Sequence, residues 1–307
     1  LVARPEHFYS HSLQNQREVD ALASDGNAST SWTYDPVGDV YPGAQPALKL
    51  TRVNPPIGAS DYGYGSIPQH DIIKLPMNIG AEYESILVIW DQLWGPEFRD
   101  NAGGITHYKA VGFEVDGHSW WTHMESPGPA LVANDPKIVA RLTDEFQSGT
   151  PFPNGMIRDE RVQPSGQNTP LQYPGYNGAA AMYESRWTRF ICEIRPAVPP
   201  ETFTDWNNTY NVTVQPNPNQ AGGRWYMVSK WLVQEDGRIE RVLYRVPMGI
   251  KTWRPLITRI RLTMDSSKIG FIGPWYGYIR NMTVLVNYRL PQTSPESDRT
   301  VFQAPIR

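Results

Sequence analysis

Between residues 187 and 288 apolar and polar side chains alternate in short runs, the two-residue period of a strand whose faces meet different surroundings. Thr188, Phe190, Cys192 and Ile194 fall on one side; Trp187, Arg189, Ile191, Glu193 and Arg195 fall on the other. Tyr226, Val228, Lys230 and Leu232 alternate in the same way with Trp225, Met227, Ser229, Trp231 and Val233, after which Glu235-Asp236-Gly237 turns the chain. Runs at 238–245, 257–264 and 278–288 continue the series. Upstream, Ile86-Leu87-Val88-Ile89-Trp90 is apolar on both sides, as expected of a central strand covered twice. His107 to Val115 reads as a strand closed by the hairpin dipeptide Asp116-Gly117, with its partner at 119–124.

Two segments suggest helix. One is short, within 12–23; the other starts at Asp135-Pro136, a capping residue and a proline in the first turn, and sets Ile138, Val139, Leu142 and Phe146 on one face before Ser148-Gly149. Residues 149–178 are rich in Gly and Pro without a sustained period and are expected to form a long loop. Strands separated by turns, with little helix, predict an all-β fold: an antiparallel β-sandwich of jelly-roll type with one or two short helices and long loops. Residues 1–50 are polar and read as an N-terminal arm or added strands, and residues 51–307 as a single sandwich domain.

Composition narrows the class of function. A net charge of −3 gives no electrostatic case for a nucleic-acid backbone, and no apolar run approaches the ~18 residues of a membrane span. The chain opens on Leu1 rather than Met, as either a processed or a trimmed chain does, so any secretion signal would already be gone. Sequons at Asn27, Asn207, Asn211 and Asn281 fit an extracellular life. Cys192 is the sole cysteine, which excludes an intrachain disulfide, and its neighbours Phe190 and Ile194 predict a buried, inert thiol.

The passage 225–231, the turn Glu235-Asp236-Gly237, the run 259–264 with Asp265-Ser266-Ser267, and the run 278–285 resemble the closing strands of concanavalin A-like lectin/glucanase jelly rolls. Several polysaccharide lyase families look alike in this half of the chain, so the resemblance implies a carbohydrate-active protein. It transfers no catalytic residue. The retaining glucanases place two glutamates around an aspartate on one strand, whereas Phe113-Glu114-Val115-Asp116-Gly117-His118 has Gly and His where the second Glu should follow. The Gln-x-His strand of jelly-roll alginate lyases meets only Gln69-His70 here, without the intervening residue, and their Tyr-Lys-rich strand meets His107-Tyr108-Lys109.

The residues themselves suggest which chemistry to look for. Breaking a uronic-acid polymer by elimination requires a cation for the carboxylate, a base for the α-proton and an acid for the leaving oxygen. On the His107 strand, His107, Lys109 and Val111 share a face. His107 and Tyr278 as catalytic candidates, with Lys109, Arg189, Arg259 and Arg261 on an open sheet face and Trp275 stacking on sugar, would assemble a site for an acidic polysaccharide. Cross-strand ion pairs, Arg189 with Glu193 for instance, account for the same arginines without a ligand. Trp275 is expected on a loop, between Gly273-Pro274 and Gly277. His118 and His123, five apart on a strand, point to opposite faces and do not share a metal; no cofactor is expected beyond a structural calcium on carboxylates such as Asp91, Asp100 or Asp116.

Three functions fit these residues: a secreted lyase-like enzyme, a lectin-like module that binds glycan without turnover, and a glycosylated structural subunit of a fibre or viral coat. In the last, residues 1–50 would mediate self-association.

Overall fold

The computed structural model describes residues 6–20, 30–38, 40–44, 46–53, 70–74, 85–94, 106–115, 118–126, 137–144, 181–183, 186–196, 201–204, 211–214, 225–249, 257–266, 274–303 and 306. In chain order its elements begin with β1 (Glu6–His11), α1 (Gln16–Asp20), β2 (Thr30–Asp35), β3 (Ala47–Val53), β4 (His70–Lys74) and β5 (Ile86–Trp94). Next come β6 (Thr106–Val115), β7 (His118–Ser126), β8 (Lys137–Asp144), β9 (Ala181–Tyr183) and β10 (Thr188–Pro196). They end with β11 (Glu201–Thr204), β12 (Asn211–Val214), β13 (Trp225–Gln234), β14 (Ile239–Gly249), β15 (Ile257–Ser266), β16 (Pro274–Val286) and α2 (Arg299–Phe302).

All the pairings are antiparallel. An 8-stranded sheet runs β14-β13-β10-β5-β16-β3-β2 with β1 added on β16, and a 6-stranded sheet runs β4-β15-β6-β7-β8-β9. β16 lies between β3 and β5 in the first sheet, and β15 lies between β4 and β6 in the second. Each of the successive couples β3–β4, β5–β6 and β15–β16 thus sends one strand to each sheet, the paired winding of a jelly roll. The layers meet where β15 approaches β3, β9 approaches β13 and β8 approaches β14.

The all-β expectation holds, and β5 is the internal strand its two-sided apolar pattern requires, between β10 and β16. The hairpin partner of β6 is β7, as expected. At the turn after β13, Gly237 takes φ +83, a conformation costly for any residue with a Cβ, and its N–H bonds the Gln234 carbonyl. Cys192 is fully buried beside Phe190 and Ile194.

The helix expected from Asp135-Pro136 is instead strand β8. Ile138, Ala140 and Leu142 satisfy a two-residue period as well as the helical spacing does, the β-branched Ile138 and Val139 favour extended backbone, and β7 offers a full row of partners. Phe146 lies outside the described residues. Among the described residues the N-terminal helix spans Gln16–Asp20; residues 6–11, 30–35 and 47–53 enter the 8-stranded sheet as β1, β2 and β3.

The core of the larger sheet lies on both its faces. Trp90 stacks on Phe190 at 5.0 Å and 9°, on the side that carries Val88, Cys192 and Leu232. The other side, with Leu87, Ile191, Trp231 and Val233, is covered by Leu290, Val301 and Phe302 of the C-terminal segment. Phe302 meets Trp231 edge-on at 5.4 Å, and the Trp231 indole N–H donates to Glu296 at 2.7 Å.

Candidate functional site

Register along β5 decides the fate of the first arginine. Asp91 is opposite Arg189 on β10 and opposite Arg280 on β16, so the three charges lie in one row across the outer side of the 8-stranded sheet. Arg189 donates to Asp91 through Nε at 2.7 Å and through a terminal nitrogen at 3.1 Å, a two-pronged pair that leaves Arg189 only 4% exposed. The expected open face is closed here: the row lies between the cluster of Leu87, Ile191 and Trp231 under the C-terminal segment and a second cluster of Ala44, Ala47, Leu93, Trp187 and Tyr278.

Arg280 stacks on the Trp187 ring at 3.8 Å. Burial pushes its guanidinium below the ordinary arginine value, with Asp91 and Glu235 opposing and Arg189 adding to the fall. Trp187 is itself fixed, its backbone N–H bonding Glu235 at 2.9 Å and its indole N–H bonding the Gly43 carbonyl at 2.8 Å. Cross-strand pairing is therefore the fate of Arg189, with Asp91 as partner where the sequence suggested Glu193. Asp91, thought of for calcium, is spent on this pair; Asp100 and Asp116 lie outside the described residues.

Tyr278 is fully buried, and its hydroxyl donates to Asp35 at 3.2 Å. It belongs to the 8-stranded sheet, whereas His107 belongs to the other. Trp275, expected on a loop, is the second residue of β16, opposite Arg52; Pro274 is tolerated because it opens the strand.

The sequon at Asn281 is also occupied by structure. Asn281 takes φ +53 at an irregularity of β16, its Nδ2 donates to Asp91 at 2.8 Å, and its Oδ1 accepts from Gln14 at 2.8 Å. Asn27 and Asn207 fall outside the described residues, and Asn211 opens β12 opposite Thr204.

The 6-stranded sheet gathers the remaining candidates. Directly opposed residues of antiparallel strands share a face, so register sorts its positions into two sets. Arg259 is opposite Glu114 on β6 and Lys74 on β4; Arg261 is opposite Gly112 and Asp71. One level on, Lys109 is opposite Asp265 on one side and His123 on the other, and His123 is opposite Arg141. His107 follows, opposite Glu125. The alternate positions are mostly apolar: Phe113 is opposite Ile260 and Trp120, and Val111 is opposite Leu262, with Asp144 opposite Trp120, His70 opposite Leu262 and Thr122 opposite Leu142 as the polar exceptions.

One face of this sheet therefore carries the register positions of His107, Lys109, Arg259 and Arg261, and the other is the more apolar one. The bulge in β6 between Lys109 and Gly112 breaks the alternation, and Val111, expected beside Lys109, is opposite Leu262 instead. Other charged or titratable positions on this face, His123, Asp265, Arg141, Lys74, Asp71 and Glu125, are not singled out as a site by the sequence. His123 is read there only as a metal ligand, Asp265 only within the run that carries the resemblance, and Arg141 is hidden by the helical reading of β8. The alternation Ser119, Trp121, His123, Glu125 along β7 is the signal that would have placed His123.

No protein-family model and no curated relative matches the chain. Among solved structures it is similar to a marine PL-14 alginate lyase from Aplysia kurodai, with a TM-score of 0.48 and 10% identity over 92% of this chain and 99% of that one. It is similar to the alginate lyase Aly36B, with a TM-score of 0.48 and 9% identity over 90% and 95% of the two chains. It is likewise similar to the cellulose-induced protein Cip1, with a TM-score of 0.47 and 10% identity over 90% and 96%. Likenesses of this degree carry no argument about the present chain, whose fold stands on its own strand pairings.

Proposed function

We propose that this chain binds an acidic polysaccharide on the charged face of its 6-stranded sheet and cleaves it there by β-elimination. The observation that supports the reading is register: Lys109, Arg259, Arg261 and His107 occupy one face of a sheet whose alternate positions are mostly apolar. Arginine suits the carboxylate of a uronate because its planar fork matches the two oxygens, and a cation there stabilises the charge that develops as the α-proton leaves. In this assignment His107 takes that proton, electrons move into a new carbon–carbon double bond, the glycosidic C–O bond at the β-carbon breaks, and the leaving oxygen takes up a proton. The acid is a group of the same face or a water it holds, since Tyr278 is committed to Asp35 in the other sheet.

The test is incubation with alginate, pectate, glucuronan and glycosaminoglycans while the absorbance of the unsaturated product is followed. A rise with at least one of them that His107→Ala abolishes is expected; silence across the panel would remove the catalytic step. An extracellular setting belongs to the same proposal.

A lectin-like role without cleavage is the second reading, and the burial of Tyr278 is the observation that favours it. Binding of an acidic glycan with no product absorbance would select it.

A further inference from the structure

We propose that His123 is a binding residue of the charged face and makes its grip on an acidic polymer proton-linked; the inference rests on the binding reading above. The positions Asp265, Lys109, His123 and Arg141 stand opposite one another in turn across β15, β6, β7 and β8. Neighbouring strands lie about 4.8 Å apart, so Lys109, His123 and Arg141 form a line about 10 Å long that crosses the strands. A line of three such positions suits a polymer with repeated carboxylates better than a single small acid.

His123 is the member of that line whose charge changes in the physiological range, an unperturbed imidazole titrating near about pH 6.5. The charged and titratable positions around it are Lys109 and His107 on β6, Arg141 on β8, Glu125 on its own strand and, beyond Lys109, Asp265 on β15. A carboxylate laid across the line favours the imidazolium, because an anion nearby stabilises the charged form. Binding then takes up a proton, and affinity rises as pH falls through the imidazole range. The polymer's own carboxyls titrate well below that window, at about 3–4, and stay ionised throughout.

The experiment is calorimetric titration of the intact chain with polygalacturonate and with alginate oligomers at pH 5.5, 6.5 and 7.5, at fixed ionic strength. At pH 6.5 it is repeated in two buffers of different ionisation enthalpy to count protons. Wild type is expected to bind several-fold more tightly at pH 5.5 than at 7.5, with net proton uptake at 6.5. His123→Gln should lose most of that uptake and bind as wild type does at pH 7.5. His107→Gln should keep the His123 part of the uptake, and His118→Gln, at the end of β7 opposite Val115, should leave it whole.

Uptake unchanged in His123→Gln, or affinity lost equally at every pH, overturns the inference while leaving the binding reading intact. Absence of binding to any acidic glycan at any pH removes the binding reading itself, and circular dichroism of each variant separates that outcome from misfolding.

Discussion

The two sheets of this protein carry similar arginines to opposite ends. In the 8-stranded sheet Arg189 and Arg280 flank Asp91 in one row and are each only 4% exposed, covered by the C-terminal segment and by the loop around Ala44. In the 6-stranded sheet the register sets Arg259 and Arg261 opposite Glu114, Lys74 and Asp71, on the face whose alternate positions are mostly apolar. An arginine on an alternating strand thus has no meaning of its own. What decides is what surrounds the face, since a guanidinium covered as Arg189 and Arg280 are must find its counter-charge inside the protein.

The largest expected difference follows from that contrast. Asp91→Ala leaves Arg189 buried without its counter-charge and removes the anion nearest Arg280, and loss of one partner of a buried pair costs about 3–5 kcal/mol. Asp265→Ala, at the charged face of the other sheet, should change stability by no more than about 0.5 kcal/mol. Urea unfolding of both variants checks the comparison, and equal losses would break it.

Next in size is Asn281→Ala. It removes the bonds to Asp91 and Gln14 and puts alanine at φ +53, where asparagine is better tolerated, for an expected cost of about 1–3 kcal/mol. Because Nδ2 is the atom that would bear a glycan, mass spectrometry of protein folded in a glycosylating host should find Asn281 unmodified.

These variants also mark how far the sequence is readable. The two-sided apolar run of β5 announces a central strand because both of its faces must be covered, and nothing else need be known. That Arg189 would pair across strands is readable from its alternating position; that Asp91 would be the partner is not, since the two are 98 residues apart and only the register of β5 against β10 joins them. The cover on that row is harder still. Leu290, Val301 and Phe302 are separated by prolines and polar residues with no period, yet they close the face that the alternation of β10 left open. On the charged face, His107, Lys109, Arg259 and Arg261 are within reach of alternation alone, whereas Arg141 depends on knowing that β8 is a strand, and a short run with Ile138, Val139 and Leu142 fits both periods.

A smaller effect on folding, with a clear one on function, is expected at Arg261. Arg261→Ala should shift the urea midpoint less than Arg189→Ala does and should weaken binding of an acidic oligosaccharide about tenfold, the equivalent of about 1.4 kcal/mol. Arg189→Ala should do the reverse, unfolding the protein more readily while sparing affinity in whatever fraction stays folded. A binding loss in Arg189→Ala without destabilisation would mean that the two faces had been assigned the wrong way round.

The smallest effect tests the cover itself through its response to alkali. Tyr288 donates to Asp298 at 2.8 Å, and Asp298 in turn caps the last helix by accepting from the backbone N–H groups of Thr300 and Val301. Burial, then the hydrogen bond and the charge of Asp298, raise the Tyr288 hydroxyl above its ordinary value of 10.0. Since the unfolded chain ionises first, the stability that this tyrosine contributes is complete below about pH 10 and is lost as pH rises through that range toward the folded value. Tyr288→Phe should therefore lower stability slightly at neutral pH, by about 1 kcal/mol for one hydrogen bond, and flatten the decline between pH 9.5 and 11 relative to wild type. Lysines titrate in the same window but equally in both proteins, so the difference between the two curves isolates Tyr288. If the cover over Ile191 and Trp231 is what holds the larger sheet's outer side shut, that flattening should appear in urea midpoints and be missing from glycan affinity, which belongs to the other sheet.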